Sequence, residues 1–238
     1  RQQQFSSAMV PGNLLQSKKK KWTYNPARKE LLLSTFHLTD KTYPEYINAL
    51  RKFSPRYIQA YPSALTLLTD LMMENGDIGK INFDVIFLGS ENVYGWQKEK
   101  FKLAFPNSQV FAWYGHSEQA ILASMCEASE QYHIWPFYGL TEIMDEKNKN
   151  VSVGEIGELI GTSFWNIATP FIRYRTDDLA KKGKSYCDKC QRQFDLIEHI
   201  EGRKQDYIVT KNGAYVTLTA LIFAQHFHAF SVVKNMQL

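Results

Sequence analysis

The chain has 238 residues, 44% of them hydrophobic and 14% aromatic. That is enough apolar material for one large domain or one and a half, and it excludes a wholly disordered chain. Its 28 Lys and Arg against 24 Asp and Glu leave a formal net charge of +4, much of it in the run Lys18 to Lys21; no basic stripe interleaved with aromatics accompanies that run, so nucleic acid is not an expected partner. No apolar stretch approaches the ~18 residues needed to cross a bilayer and no charged-then-apolar leader opens the chain, so no membrane span and a cytoplasmic protein are expected. The start on Arg1 and the half-finished apolar pattern VVKNMQL at the end read as a piece of a longer protein, cut at both ends.

From Arg56 to Gly115 the pattern alternates in type. RYIQAY is a short strand-like run, and its Tyr61-Pro62 step can open a helix. SALTLLTDLMMENG comes next with helical spacing: Leu65, Leu68, Leu71 and Met72 recur at three and four residues, and Gly76 is placed to end the helix as its C′ residue. DVIFLGS is a second strand. YGWQKEKFKLAF is an amphipathic helix with Trp96, Phe101 and Leu103 to Phe105 as its expected buried stripe, and QVFAWYG returns to strand. This order predicts right-handed crossovers and a parallel sheet covered on both faces. Ligands of such sheets bind beyond the carboxyl ends of the strands, where two loops lie, Gly89-Ser90-Glu91 and Tyr114 to Glu118. After Glu142 the pattern changes: the polar turn DEKNKN leads into VSVGEIGELIGTSF, which reads as an antiparallel β-rich subdomain.

The three cysteines, Cys126, Cys187 and Cys190, are an odd number, which argues against a disulfide framework. YCDKCQ is a C-x-x-C in a charged, turn-like stretch that suits a zinc knuckle, and Cys126 with His133 can complete a tetrahedron of three thiolates and one imidazole. Spacing alone leaves open the plainer reading, a chance C-x-x-C and a small buried Cys126. His37, His199, His226 and His228 are weak signals, the last two in the aromatic-rich FAQHFHAF. YGHSE, read alone, is a tight strand-to-helix turn in which Gly115 relieves crowding and Ser117 caps the next helix.

Taken together, YGHSE, RYRTDDLA (173–180) and IEGRKQDYIV (200–209) resemble segments of the adenylate-forming enzymes, and within them the phenylacetate–coenzyme A ligase and capsule-biosynthesis (CapK-like) branch. The resemblance covers roughly Tyr57 to Val216. It implies an α/β fold, a parallel sheet with flanking helices plus a β-rich subdomain, truncated at both ends, with residues 1–202 in the large nucleotide-binding domain and 203–238 opening a small lid domain. The implied activity is ATP-dependent activation of a small-molecule carboxylic acid to acyl-AMP, with transfer to coenzyme A. In YGHSE, Tyr114 and Gly115 would lie over the nucleotide, Ser117 and Glu118 would face the phosphates, Glu118 would hold Mg2+, and His116 would line the acyl pocket.

Asp178 matches the carboxylate that accepts hydrogen bonds from the ribose hydroxyls, and Arg203 the arginine that reaches ribose and phosphate. The resemblance also implies a structural Zn2+ on Cys126, His133, Cys187 and Cys190. Three departures stand out: Asp177 replaces a usual glycine, Gln205 replaces an acidic hinge residue, and the cysteine pair is C-x-x-C followed by Gln191, where C-x-C followed by glycine is expected. There is no Ser/Thr/Gly-rich phosphate loop; FSSAMVPG at Phe5 to Gly12 is a poor match, and the lid lysine of the family would lie beyond Leu238. Two alternatives stay open, a non-catalytic, zinc-stabilised relative acting in capsular polysaccharide biosynthesis, and an adenylating enzyme with an acceptor other than coenzyme A.

Overall fold

Joints built from proline, glycine and short polar turns set the element boundaries. The structure is a computed structural model that describes residues 21–204 in full, and the backbone alone of Ser6–Val10, Tyr207–Val209 and Tyr215–Thr217. Two units partition the chain, Arg1–Tyr114 and Gly115–Leu238. The first runs β1 (Ser6–Val10), β2 (Trp22–Asn25), β3 (Glu30–Ser34), α1 (Tyr43–Phe53), β4 (Tyr57–Ala60), α2 (Pro62–Glu74), β5 (Val85–Leu88), α3 (Gly95–Ala104) and β6 (Gln109–Gly115). β2 and β3 form an antiparallel hairpin, and the neighbours β3-β1-β4-β5-β6 are all parallel. An α/β fold is therefore present, with β4 through β6 where the alternation predicts them.

Pro62 sits in the first turn of α2, where its missing N–H costs nothing. At the other end Gly76 takes φ +65° and donates to the Met73 carbonyl while Asp77 donates to Met72, a Schellman closure at the predicted glycine. Glu91, in the loop after β5, accepts from the Ser63 N–H at 2.8 Å and the Ser63 hydroxyl at 2.8 Å, so this carboxylate caps α2. The stripe predicted for α3 is partly wrong. Phe101, Ala104 and Phe105 are buried, but Leu103 is 58% exposed and Gln97 is buried in its place. Positions 97, 101, 104 and 105 share one helical face, and 103 lies off it. Gln97 tolerates burial because its amide accepts from the Tyr94 N–H and donates to the Thr66 hydroxyl.

Coverage of both sheet faces, as expected, is also corrected. Ile58, Ala60, Ile86, Leu88 and Ala112 are buried on one face, whereas on the other Gln59 is exposed and Phe87 is 37% exposed. α2 and α3 lie together on one side of β4-β5-β6, joined by Gln97 to Thr66 at 3.1 Å and Lys100 to Asp70 at 2.6 Å, as crossovers of one hand require.

The second unit is an antiparallel sheet of β7 (Leu122–Cys126), β8 (Ser129–Ile134), β9 (Gly139–Met144), β10 (Ile156–Ser163), β11 (Tyr174–Lys182) and β12 (Leu196–Arg203), ordered β7-β8-β12-β11-β10-β9. A separate hairpin pairs β13 (Tyr207–Val209) with β14 (Tyr215–Thr217). The antiparallel subdomain thus begins at Leu122, well before the change of pattern expected after Glu142. Its core is Ala123, Met125, Ile143, Leu159, Ile160, Ala180, Leu196 and Ile197. Gly139 and Gly161 let the Ala120-Ile121 segment lie directly on the β9–β10 hairpin, since a Cβ at Gly139 would come within 2.1 Å of the Ala120 carbonyl oxygen and one at Gly161 within 2.6 Å of the Ile121 side chain. Among the described residues no helix is long and apolar enough to cross a membrane.

Candidate active site and metal centre

Tyr114 and Gly115 close β6, and the chain then turns sharply. The Gln119 N–H donates to the His116 carbonyl at 3.1 Å, and Gln119 takes φ +57°. The next element is strand β7, so Ser117 caps no helix and the strand-to-helix reading of this turn is replaced by a strand-to-strand one. The turn is held in place within the second unit: the Ser163 hydroxyl donates to the Gln119 carbonyl at 2.8 Å. Ser117 is exposed. Glu118 accepts a hydrogen bond from the Tyr174 hydroxyl at 2.8 Å through Oε1, and its Oε2 lies 3.1 Å from His116 Nδ1. The Tyr174 bond is the main reason that the Glu118 carboxyl is held below the usual carboxylate range, with backbone and His116 bonds adding to it against burial. An ionised, oriented carboxylate of this kind fits a hard divalent cation. Rings complete the cluster, His116 to Tyr174 at 5.9 Å and Phe171 to Tyr174 at 5.0 Å. Sequence reasoning gives Tyr174 no role of its own; its hydroxyl, one residue into RYRTDD, is the signal that could have found it.

Asp178 lies four residues along β11 from Tyr174, in a bulge. Glu158 pairs with Leu179 and Ile160 with Arg175, so two steps on β10 face four on β11 and Thr176-Asp177-Asp178 loops out. The Thr176 side chain pins this bulge, donating to the Leu159 carbonyl at 2.9 Å and accepting from the Asp178 N–H at 3.1 Å. Asp177 takes φ +60°, the left-handed conformation that glycine adopts most readily, at the position where the resemblance leads one to expect glycine. Asp178 stands opposite Arg203 in the β11–β12 register, with Nε 3.7 Å from Oδ1; Arg203 is 68% exposed and Asp178 17%. Behind the bulge Arg175 donates to the buried Glu158, Nε to Oε1 at 3.0 Å, and holds that carboxyl below its ordinary range. Gln205, Asp206, His226 and His228 lie outside the described residues, as do the poorly matching Pro11 and Gly12 and most of the lysine run.

At the opposite end of the β11–β12 hairpin the four metal candidates converge. Cys126 ends β7, His133 lies in β8, and Cys187 and Cys190 lie in the loop from β11 to β12; their donor atoms are all within 4.8 Å of one another. The pairing of Leu196 with His133 brings β8 and the loop together. His133 Nε2 is 3.2 Å from Cys190 Sγ, and backbone N–H groups point at sulfur, Ala128 to Cys126 at 3.4 Å and Cys190 to Cys187 at 3.5 Å. Gln191 takes φ +63°, again a left-handed residue where the resemblance leads one to expect glycine. Burial lowers the His133 pKa, which favours the neutral, ligating imidazole. Burial raises Cys126; it pushes Cys187 up too, but the N–H groups of Cys190 and Lys189 outweigh it and leave Cys187 below the usual thiol range. Three soft thiols and an imidazole at these separations fit a tetrahedral Zn2+ with Zn–S of about 2.3 Å and Zn–N of about 2.0 Å, leaving no position for water.

No protein-family profile matches the chain. It is 25% identical over 221 residues to protein CapK of Staphylococcus aureus, an alignment that covers 92% of the chain and 47% of CapK, so the chain spans about half the length of that relative. In structure it is similar to a 2-hydroxyisobutyryl-CoA ligase in the postadenylation state in complex with 2-HIB-AMP, with a TM-score of 0.66 and 16% identity over 90% of this chain and 46% of that one. The anthranilate CoA ligase AuaEII in complex with anthranoyl-AMP gives a TM-score of 0.56 and 12% identity over 90% and 42% of the two chains. In sequence the chain is thus similar to CapK over nearly all its length, and its fold is that of the adenylate-forming enzymes.

Proposed function

We propose that this chain supplies the ribose- and phosphate-facing half of an adenylate-forming ligase, in which the carboxylate of the substrate acid attacks the α-phosphate of ATP and displaces pyrophosphate, and the thiol of coenzyme A then takes the acyl group from the acyl-AMP and releases AMP. The observation that carries the reading is the Tyr174 hydrogen bond to Glu118, which ties the YGHSE turn to the strand that bears Asp178. Asp178 accepts from the ribose hydroxyls and Arg203 lies beside it for ribose and phosphate, its planar donor fork matching oxyanions. Tyr114 and Gly115 lie along the nucleotide, the exposed Ser117 hydroxyl faces the phosphates, and His116 borders the acyl group. Glu118 would hold Mg2+, which neutralises phosphate charge when bound. Cys126, His133, Cys187 and Cys190 would hold a structural Zn2+. Residues 1–202 belong to the large domain in this reading and 203–238 open the lid; three thiols without a disulfide suit a cytoplasmic setting.

The relatives' own names support the reaction class, since those solved structures are CoA ligases holding acyl-AMP. The left-handed φ of Asp177, which glycine also adopts, is compatible with a working nucleotide site. A sequence without a Ser/Thr/Gly-rich phosphate loop favours the non-catalytic alternative for the isolated chain. Calorimetry with ATP and Mg2+, followed by pyrophosphate exchange with aryl and 2-hydroxy acids, tests the proposal. Nucleotide binding that depends on Asp178 and Arg203 is expected, with exchange weak or absent until a phosphate loop is supplied in a longer chain. Nucleotide affinity indifferent to both residues would remove the assignment, and robust exchange by this chain alone would show that the site is misplaced.

A further inference from the structure

Glu127 follows Cys126 in the turn between β7 and β8, and Arg192 follows the C-x-x-C by two residues. Their side chains meet as a bidentate pair, Nη1 to Oε2 at 2.8 Å and Nη2 to Oε1 at 2.8 Å, although 65 residues separate them in the chain. The Arg192 carbonyl also accepts the Cys187 N–H at 3.0 Å, which closes the C-x-x-C loop on itself. Both side chains are about half exposed, 47% and 53%. An isolated pair so exposed contributes about 0–1 kcal/mol to folding, so stability alone gives little reason for this geometry.

Charge supplies a reason. Three thiolates and a neutral imidazole around a divalent ion carry a net charge of −1, and Arg192 is held beside them, its carbonyl bonded to the Cys187 N–H and its guanidinium to Glu127, the neighbour of Cys126. The same side chain bridges to the turn that carries Cys126. We propose that Arg192, oriented by Glu127, is the outer partner of the metal centre: it balances the surplus negative charge on the thiolates and latches the Cys126 turn onto the C-x-x-C loop, so that it sets how tightly Zn2+ is held. This inference rests on the metal reading of the four donors and is independent of the nucleotide reading.

The test is Zn2+ affinity by competition with a chromophoric chelator on the whole 238-residue chain, for wild type, Arg192→Ala, Arg192→Lys, Glu127→Ala and the double alanine variant. Outer-sphere partners of metal ligands typically contribute 10- to 100-fold to affinity. Arg192→Ala is expected to weaken Zn2+ binding by about 10-fold or more, Arg192→Lys to recover part of the loss by keeping the charge, and the double variant to lose less than the product of the two single losses. Melting in excess chelator is the control, and there all the variants should unfold at the wild-type temperature. Equal Zn2+ affinity in wild type and Arg192→Ala would overturn the inference. So would a melting deficit as large in chelator as in zinc, because the pair would then be a plain structural bridge. A wild type that binds no Zn2+ would overturn the metal reading itself, a result distinct from the other two.

Discussion

The two ends of the β11–β12 hairpin carry candidate sites of opposite kinds in the reading proposed above. At the loop end Cys187 is buried and the four donors already lie within a coordination shell of one another. At the other end Arg203 projects into solvent and its Nε stays 3.7 Å from Asp178, beyond the 2.7–2.9 Å of a tight charge-assisted bond. A permanent ion wants its ligands converged and dry. An exchangeable ligand wants charges held on a rigid frame in contacts weak enough to be replaced. In that reading a metal at one end would clamp the hairpin so that the other end presents a fixed geometry.

The largest way to break this comparison is to remove the clamp. Structural zinc contributes on the order of 10 kcal/mol of apparent folding free energy, so a strong chelator should lower the melting temperature sharply and strip hydrogen-exchange protection from β11 and β12 before β4 and β5. Metal analysis of protein purified without added zinc should give one equivalent; near-zero metal, or undiminished stability in chelator, would end the idea. Next in size is the exposed end. Asp178→Ala and Arg203→Ala should each cost roughly 2–3 kcal/mol, thirty- to a hundred-fold, in ATP affinity by calorimetry while leaving the melting temperature near wild type.

Between the two ends lies Glu158, whose bond to Arg175 backs the bulge. Arg175 depresses its pKa, so its contribution to stability is present above the ordinary carboxylate value near 4.3 and fades as pH falls through the lower folded value. Glu158→Gln should therefore cost about 1–2 kcal/mol at pH 7, a difference that narrows in denaturant melts as the pH is taken below about 4. The smallest effect compares the two left-handed residues directly, since Asp177 and Gln191 hold φ +60° and +63° at the two ends. Alanine at either place should cost about 1 kcal/mol more than glycine by the same melts, and equal costs would show that the backbone there relaxes.

Local signals made the stretch from β4 to β6 legible, whereas β1, β2, β3 and α1 of the same unit were not read from the sequence. The alternation from Arg56 to Gly115, Pro62 at a helix start and Gly76 at a helix end all act within a turn or a strand, so period and punctuation were enough. The misreadings there have the same root: Leu103 was assigned by hydrophobicity rather than by angle around α3, and Gln97 is buried only because Tyr94 and Thr66 satisfy its amide. Strands β7 and β8 went unread because their alternation mixes Ser, Cys, Glu and His with the apolar residues.

What the sequence by itself determined is chemistry and local form: which side chains can ligate, which carboxylates can meet a ribose or a cation, and where helices begin and end. Proximity was left to the tertiary structure. His133 meets Cys190 across 57 residues, Tyr174 meets Glu118 across 56, and Arg192 meets Glu127 across 65. Each meeting depends on strand register and on bulges in β10–β11 and β11–β12, where a one-residue slip turns every side chain to the other face. Register is fixed by the packing of the whole sheet and by the entropy of closing long loops, quantities that no single segment of the chain carries.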